Sequence, residues 1–567
     1  MPNFSATRAT PHRFVPDDLD VTNIEALSGL YDTLEERDIE TLSKLEDFIL
    51  DWEELSAVEY EAYSLAYIDM TVDTGNADYE ARYLKIVDET LPVKEQRDFA
   101  LKRKLLASPA VEQLGDEYAV YLRNMRSEVG LFRDENVPLM QEALKLEQEF
   151  NKIVGAQEAE FRGKKYTLPQ LMPFLEEQDR ETRKGAWLAR WNTKLADADA
   201  LDDLYDRMYK VRQQMAHNAG YANFRDYKFE EMKRFDYTPQ DCLAFHDAIA
   251  KYITPVVAEN WEERREQLGT DTLRPWDLDV DAEGAPPIKP FETVERLEEG
   301  CYKIVSKIDE QLAGYFREMI DSRLLDLANR PGKAPGGYMD NLPDTQVPFI
   351  FMNAVGSKDD VNTLLHEGGH SFHYYLARTL PLFSYHSTTH EFSEVASMSM
   401  ELLSRPYMSE FYSDEELSRL LKDQLRDTLK FFPFMAMIDS FQHWVYTADD
   451  HSAAARRKKW SDLEARFRPG LDWTGLEQYR EIGWQYPHVF DVPFYYVEYG
   501  IAQLAALRIW LNSLEDERGA IESYKKALSL GGSRPLPDLF DAAGAPFGLD
   551  DAAVSKIVEG TLAELRS

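Results

Sequence analysis

The sequence predicts a mostly α-helical protein, and three observations carry that reading. Apolar residues recur at alternating four- and three-residue spacing, as in Leu139, Ala143, Leu146, Phe150 and Ile153, which lays one apolar stripe along a helix and leaves Glu and Lys on the other face. Proline and glycine, the residues that punctuate helices, crowd into a few short stretches. A single short apolar run, bounded by turn signals, has the pattern of a strand.

Residues from about 20 to 265 read as successive amphipathic helices, without a fixed-period repeat or a low-complexity tract. The pattern breaks between about 268 and 292, where Pro275, Gly284, Pro286, Pro287 and Pro290 predict a surface loop or a lobe connection. A second break spans Arg330 to Pro348 and holds Gly332, Pro335, Gly336, Gly337 and Pro343. Phe349-Ile350-Phe351-Met352-Asn353 follows and predicts a strand directly before the most informative helix. Helices resume to the end, with another loop at Gly531-Gly532-Ser533.

With 567 residues and 44% hydrophobic content, the chain can bury a core that needs neither disulfides nor a structural metal. Its composition excludes a wholly disordered chain. A net charge of −38 repels a phosphate backbone and an anionic lipid surface, so neither nucleic acid nor membrane is an expected partner. The two cysteines, Cys242 and Cys301, build no disulfide framework and predict two buried, reduced thiols. Met1 to Asp18 lacks an apolar core of signal-peptide length, and nothing approaches ~18 consecutive apolar residues. A cytoplasmic protein is the expectation.

Five of the eleven histidines stand close together: His366, His370, His373, His386 and His390. The first two sit in His366-Glu367-Gly368-Gly369-His370, and residues four apart on a helix are neighbours on one face. Two imidazoles so placed can share one tetrahedral zinc ion, one per chain. Glu367, between them, can take the proton of a water that the metal acidifies, which is the layout of a zinc peptidase. Ser357 and Asp360 form a capping box that starts this helix, predicted over 358–379 and ended by Pro381. Gly368 and Gly369 each cost about 1 kcal/mol relative to alanine in a helix interior. Something should offset that, either a close backbone neighbour or room for a substrate.

Catalytic zinc sites commonly take three protein ligands, so a third is expected from a nearby segment. Thr388 and Glu391 suggest a second capping box, opening a helix that runs to about Ser404. Glu391, Glu394, Met398 and Glu401 share one face of it, and spacing ranks Glu394 first as ligand, before Glu391, His390 and Glu401. Glu391 also fits a solvated acidic residue. A carboxylate left over, Glu401 for one, can accept from a ligand imidazole N–H. His373 lies a turn beyond the metal and is expected to support the site or face substrate, while His386 has no assigned role.

The run Val361 to His373, followed by Phe392-Ser393-Glu394-Val395-Ala396-Ser397, resembles the oligoendopeptidase F branch of the thimet oligopeptidase family of zinc metallopeptidases (gluzincins). That family's His-Glu-x-x-His-x-x-His motif with a distal Glu matches at His366, Glu367, His370, His373 and Glu394. The resemblance implies that Glu394 is the third zinc ligand. It likens the Pro348–Asn353 segment, with Phe351 and Asn353, to the family's edge strand, on which substrate backbone lies. The likeness extends weakly through His217-Asn218-Ala219-Gly220-Tyr221. A third segment, Tyr486-Pro487-His488 and Phe494 to Gly500, resembles the family's histidine-and-tyrosine stretch, which faces the metal. His488, Tyr496 and Tyr499 carry over as oxyanion donors if a one-residue gap is allowed, leaving Tyr495 or Tyr496 open.

The resemblance implies two helical lobes around a deep substrate cleft, with a small β element next to the zinc helix. The expected division is an N-terminal helical lobe at 1–200 and a catalytic region at 201–567. The expected function is hydrolysis of internal bonds in short, unstructured oligopeptides. A helical zinc carboxypeptidase is the rival within peptidases, and a non-catalytic helical peptide-binding protein the rival of another class. Oligomeric state is not legible in the sequence.

Overall fold

The computed structural model describes residues 11–285 and 288–566; the first ten residues, and Pro286 and Pro287 of the expected loop, lie outside the described residues. The fold is mostly α. In chain order its principal elements are α1 (Leu42–Val72), the strands β1 (Glu158–Phe161) and β2 (Lys164–Thr167), α2 (Arg180–Asn218), α3 (Pro239–Ala248), β3 (Leu325–Ala328), β4 (Tyr338–Leu342), β5 (Val347–Ala354), α4 (Lys358–Ala377), α5 (His390–Leu403), α6 (Asp414–Val445) and α7 (Tyr496–Glu515), with shorter helices among them. Among the described residues, no helix is long and apolar enough to cross a membrane.

The chain forms two compact units. One takes residues 1–130, 288–419 and 502–547, the other 131–287, 420–501 and 548–567. The division expected at residue 200 is therefore corrected, because a boundary there would cut α2 in mid-helix. Periodicity marks helices but not which distant helices share a core. In the first unit, Leu27, Tyr31, Phe48 and Trp52 pack in one apolar cluster with Leu382 and Tyr385, far along the chain. Glu53 of α1 ties the same region down by accepting from the Ser384 N–H at 2.6 Å and its Oγ at 2.7 Å.

The first unit also holds a three-stranded sheet in the order β3-β5-β4. β5 runs parallel to β3 and antiparallel to β4. Residues Val347 to Met352 are buried without alternation, the pattern of a strand covered on both faces. The expected strand exists, but it is the centre of the sheet and not its edge. Pairing partners lie in segments that periodicity cannot join, so position within a sheet is invisible to it. The edge beside α4 is β4. Ile350 donates its N–H to the Leu324 carbonyl at 2.9 Å, so its backbone polar groups face β3. Its antiparallel partner Met339 therefore belongs to a non-hydrogen-bonded pair, with N–H and C=O turned toward the open side of β4.

Candidate metal centre

The site begins with the start of α4. Ser357 caps it, and the capping box with Asp360 is present. The Asp360 carboxylate also accepts from the N–H groups of Val355, Gly356 and Ser357 at 2.8–2.9 Å, which fixes the turn between β5 and the helix. His366 and His370 then fall one helical turn apart, ring centroids 4.9 Å apart and nearly perpendicular at 85°.

α5 supplies the third group. It starts one residue later than the Thr388 box predicts: Thr389 is the N-cap, without a side-chain cap hydrogen bond. Glu391 is buried at 2% exposure, which corrects its reading as a solvated acid. His390 is exposed. The two helices touch at Gly369, where a Cβ would stand 2.5 Å from the Ala396 carbonyl oxygen and 2.7 Å from Ser397 Cα. That contact explains one of the two anomalous glycines. At Gly368 a Cβ would meet only ordinary contacts near 3.8 Å, so no close neighbour demands a glycine there.

This approach brings Glu394 Oε2 to 3.5 Å from His366 Nε2 and 3.8 Å from His370 Nε2. Two imidazole nitrogens and a carboxylate oxygen, all within 4.8 Å of one another, form a set able to hold a metal ion. Donors sharing a tetrahedral ion at about 2.0–2.2 Å stand roughly 3.3–3.6 Å apart, so the spacing fits. Glu401 accepts from His366 Nδ1 at 2.6 Å and from Asn362 Nδ2 at 2.6 Å. A carboxylate only accepts, so Nδ1 carries a proton and Nε2 is the nitrogen turned toward Glu394. Ser397 Oγ donates to Glu394 Oε2 at 2.9 Å and holds the third group in turn. Asn362 and Ser397 were legible in principle, one turn before His366 and one turn after Glu394.

Burial and charge set the protonation. Burial pulls the His366 imidazole down, but the Glu401 hydrogen bond and charge, with Glu394 and Glu367 behind it, prevail and raise it to about 9. Burial, then the neighbouring His366 and His373, hold His370 well below its ordinary value, so it is a neutral donor. Burial lifts the Glu367 carboxyl to about 7 against the opposing charge of His366, and the Met339 N–H of β4 also reaches it. Glu367 thus stands at the open edge of β4, at 8% exposure.

The other expected residues divide. His373 is buried against Phe392, its Nε2 without a hydrogen-bond partner among the described residues, and burial lowers it to about 4. It packs as core behind the site. Phe351 is fully buried and stacks on Tyr338, centroids 4.9 Å apart. Asn353 donates to the carbonyls of Ala334 and Gly336 at 2.8 and 2.9 Å, so its amide secures the preceding loop. His386 is buried with Nε2 3.0 Å from the Leu380 carbonyl, a loop-fixing part. In the second unit, His488 and the tyrosines gather on one another. His488 lies 4.4 Å from the Tyr496 ring and stacks on Tyr486 at 5.3 Å, and Tyr496 stands 6.0 Å from Tyr499. Tyr495 is farther from His488, at 6.5 Å. Burial lowers the His488 imidazole and raises the Tyr496 phenol, which leaves a neutral ring and a protonated hydroxyl.

A helical frame presenting two imidazoles one turn apart, a glutamate beside the first and a third ligand from the next helix defines a metal centre of the His-Glu-x-x-His type. The chain belongs to Peptidase family M3, whose profile matches residues 174–558, while the Peptidase M3 N-terminal domain matches residues 17–132. It is 22% identical over 395 residues to Oligopeptidase PepF of Bacillus subtilis (strain 168), covering 67% of this chain and 56% of that protein. It is 25% identical over 391 residues to an Oligoendopeptidase F homolog of Borreliella burgdorferi, covering 65% and 62%. The chain thus matches less than two thirds of the length of these relatives. Among solved structures it is similar to PZ peptidase A with inhibitor 2, with TM-score 0.86 and 28% identity over 98% of this chain and 99% of that one.

Proposed function

We propose that the protein is a zinc-dependent endopeptidase that hydrolyses internal peptide bonds of short, unstructured oligopeptides. The observation that carries this reading is the triad of His366, His370 and Glu394 with Glu367 beside it at the open edge of β4. Two nitrogens and one oxygen suit zinc, which when bound by these residues supplies Lewis acidity for water and for a peptide carbonyl. Glu367 takes a proton from the attacking water and passes it to the leaving amine. Glu401, through Nδ1, keeps His366 in the tautomer that binds metal.

Substrate backbone pairs with the outward groups of β4, in place of the central strand expected from the sequence. Extended peptides satisfy such an edge and folded proteins do not. His488 with Tyr496 or Tyr499 donates to the developing oxyanion, a role supported by their clustering and by the protonated state of the Tyr496 hydroxyl. Two buried thiols, Cys242 and Cys301, agree with a cytoplasmic setting.

A quenched fluorescent peptide blocked at both ends tests the reading. Cleavage at an internal bond, lost with chelator and restored by zinc, is the expected result. Cleavage confined to peptides with a free C-terminus would make it a carboxypeptidase. Binding without any cleavage would leave a peptide-binding protein.

A further inference from the structure

The second unit contains another set of metal-ligating side chains. α3 carries Cys242 and His246 one turn apart, and α6 carries Asp439 and His443 one turn apart. Their exposures are 0%, 1%, 0% and 2%, so none meets solvent. The Cys242 sulfur, an Asp439 oxygen and a His443 nitrogen lie within 4.8 Å of one another.

The hydrogen bonds of this cluster are incomplete in an informative way. His246 is satisfied at both nitrogens, Nδ1 against Ser440 Oγ at 2.9 Å and Nε2 against Asp439 Oδ2 at 2.8 Å. His443 is not. Its Nε2 lies 3.2 Å from Asp439 Oδ2, yet neither ring nitrogen makes a well-aligned hydrogen bond among the described residues, and Asp439 Oδ1 has none either. The rings of Phe229 and Phe494 close over His443 at 5.8 and 5.5 Å. A buried imidazole and carboxylate left so is uncommon unless an ion completes them.

We propose that Cys242, Asp439 and His443 hold a structural divalent metal ion, zinc by their donor chemistry, that clamps α3 to α6. Sulfur, nitrogen and oxygen donors are a zinc set, and an ion at 2.0–2.3 Å from each sets donors roughly 3.3–3.8 Å apart. The observed 3.2 Å between nitrogen and oxygen is close to that separation. Binding ionises the thiol, and its proton leaves to solvent. Thiolate and carboxylate then carry two negative charges, which one divalent cation neutralises in a site without solvent. His246, anchored on Ser440, positions the Asp439 carboxylate as a supporting residue. No substrate reaches a set this enclosed, so the ion stabilises and does not catalyse.

Metal content decides the matter. Protein from cells grown in zinc-supplemented medium should carry two ions per chain. Brief chelation should remove the ion of the partly exposed His366 site and leave one, since the enclosed ion was taken up on folding. Cys242→Ser and His443→Ala should each drop the count by one, and His366→Ala should drop the other. Protein grown with cobalt should show a thiolate-to-cobalt charge-transfer band in the near ultraviolet. The His366, His370 and Glu394 set has no sulfur to give that band, so it should persist in His366→Ala and vanish in Cys242→Ser. Should Cys242→Ser not fold, the band in the parent and in His366→Ala carries the test. One ion per chain, lost entirely in His366→Ala, overturns the proposal. So does a second ion whose cobalt form lacks the thiolate band. Counts and spectra do not depend on activity, so failure of the peptidase reading would show separately.

Discussion

Two three-residue clusters, one in each unit, draw on similar chemistry and differ in exposure. His366, His370 and Glu394 keep side-chain exposures of 23%, 17% and 12%. Cys242, Asp439 and His443 are at 2% or less. The first has the Glu367 carboxylate and a strand edge beside it, the second His246, Ser440 and the rings of Phe229 and Phe494. The same helical spacing of four residues serves both. On the readings proposed above, access for a substrate and a carboxylate beside the metal set the first apart from the second.

The sharpest way to break this comparison is to empty the exposed cluster. His366→Ala, His370→Ala and Glu394→Ala should each lose that metal after dialysis and with it all peptide cleavage, while unfolding midpoints change little. A midpoint as sensitive as the activity would make the exposed ion structural as well. Glu367→Gln separates holding from turnover: metal content unchanged, kcat reduced at least ~100-fold. Near-normal kcat with metal bound would remove Glu367 from the reaction. Tyr496→Phe should leave both metals in place and cost about 100-fold in kcat with little change in KM. Tyr499→Phe in parallel locates the donor, and Tyr495→Phe, farther from His488, should stay near normal. Glu401→Ala should weaken metal affinity by roughly 10–100-fold without emptying the site at saturating zinc, measured by competition with a chromogenic chelator. The smallest effect belongs to Asn353→Ala, expected to lower thermal stability by about 1 kcal/mol through two lost loop hydrogen bonds, with kcat kept.

Local grammar was the legible part of this protein. The Ser357 capping box, the pairing of His366 with His370 and the choice of Glu394 all follow from spacing on single helices. Glu401 as partner of a ligand imidazole follows the same way. What escaped depends on contacts between distant segments. β5 reads as a strand from its composition, yet only its neighbours β3 and β4 make it central. Glu391 reads as polar surface because nothing nearby in sequence tells that α5 is covered on that side. A division at residue 200 follows from motif content, whereas contacts group residues 1–130 with the metal helix. Cys242 and His443 stand too far apart in the chain for any spacing rule to join them. Thr388 against Thr389 is a different miss: adjacent threonines are both competent caps, and backbone geometry chose the second.

The contact at Gly369 has a bearing on how the exposed site is filled. With no space for a methyl group between Gly369 and the backbone of Ala396 and Ser397, the two ligand-bearing helices are already in backbone contact and cannot come closer. The closest approach of the two helices is therefore a property of the polypeptide, settled before any ion arrives. A limit of this kind keeps the three donors from collapsing onto one another when the ion leaves. The site should accordingly be refillable, losing and regaining a divalent ion without a change of fold.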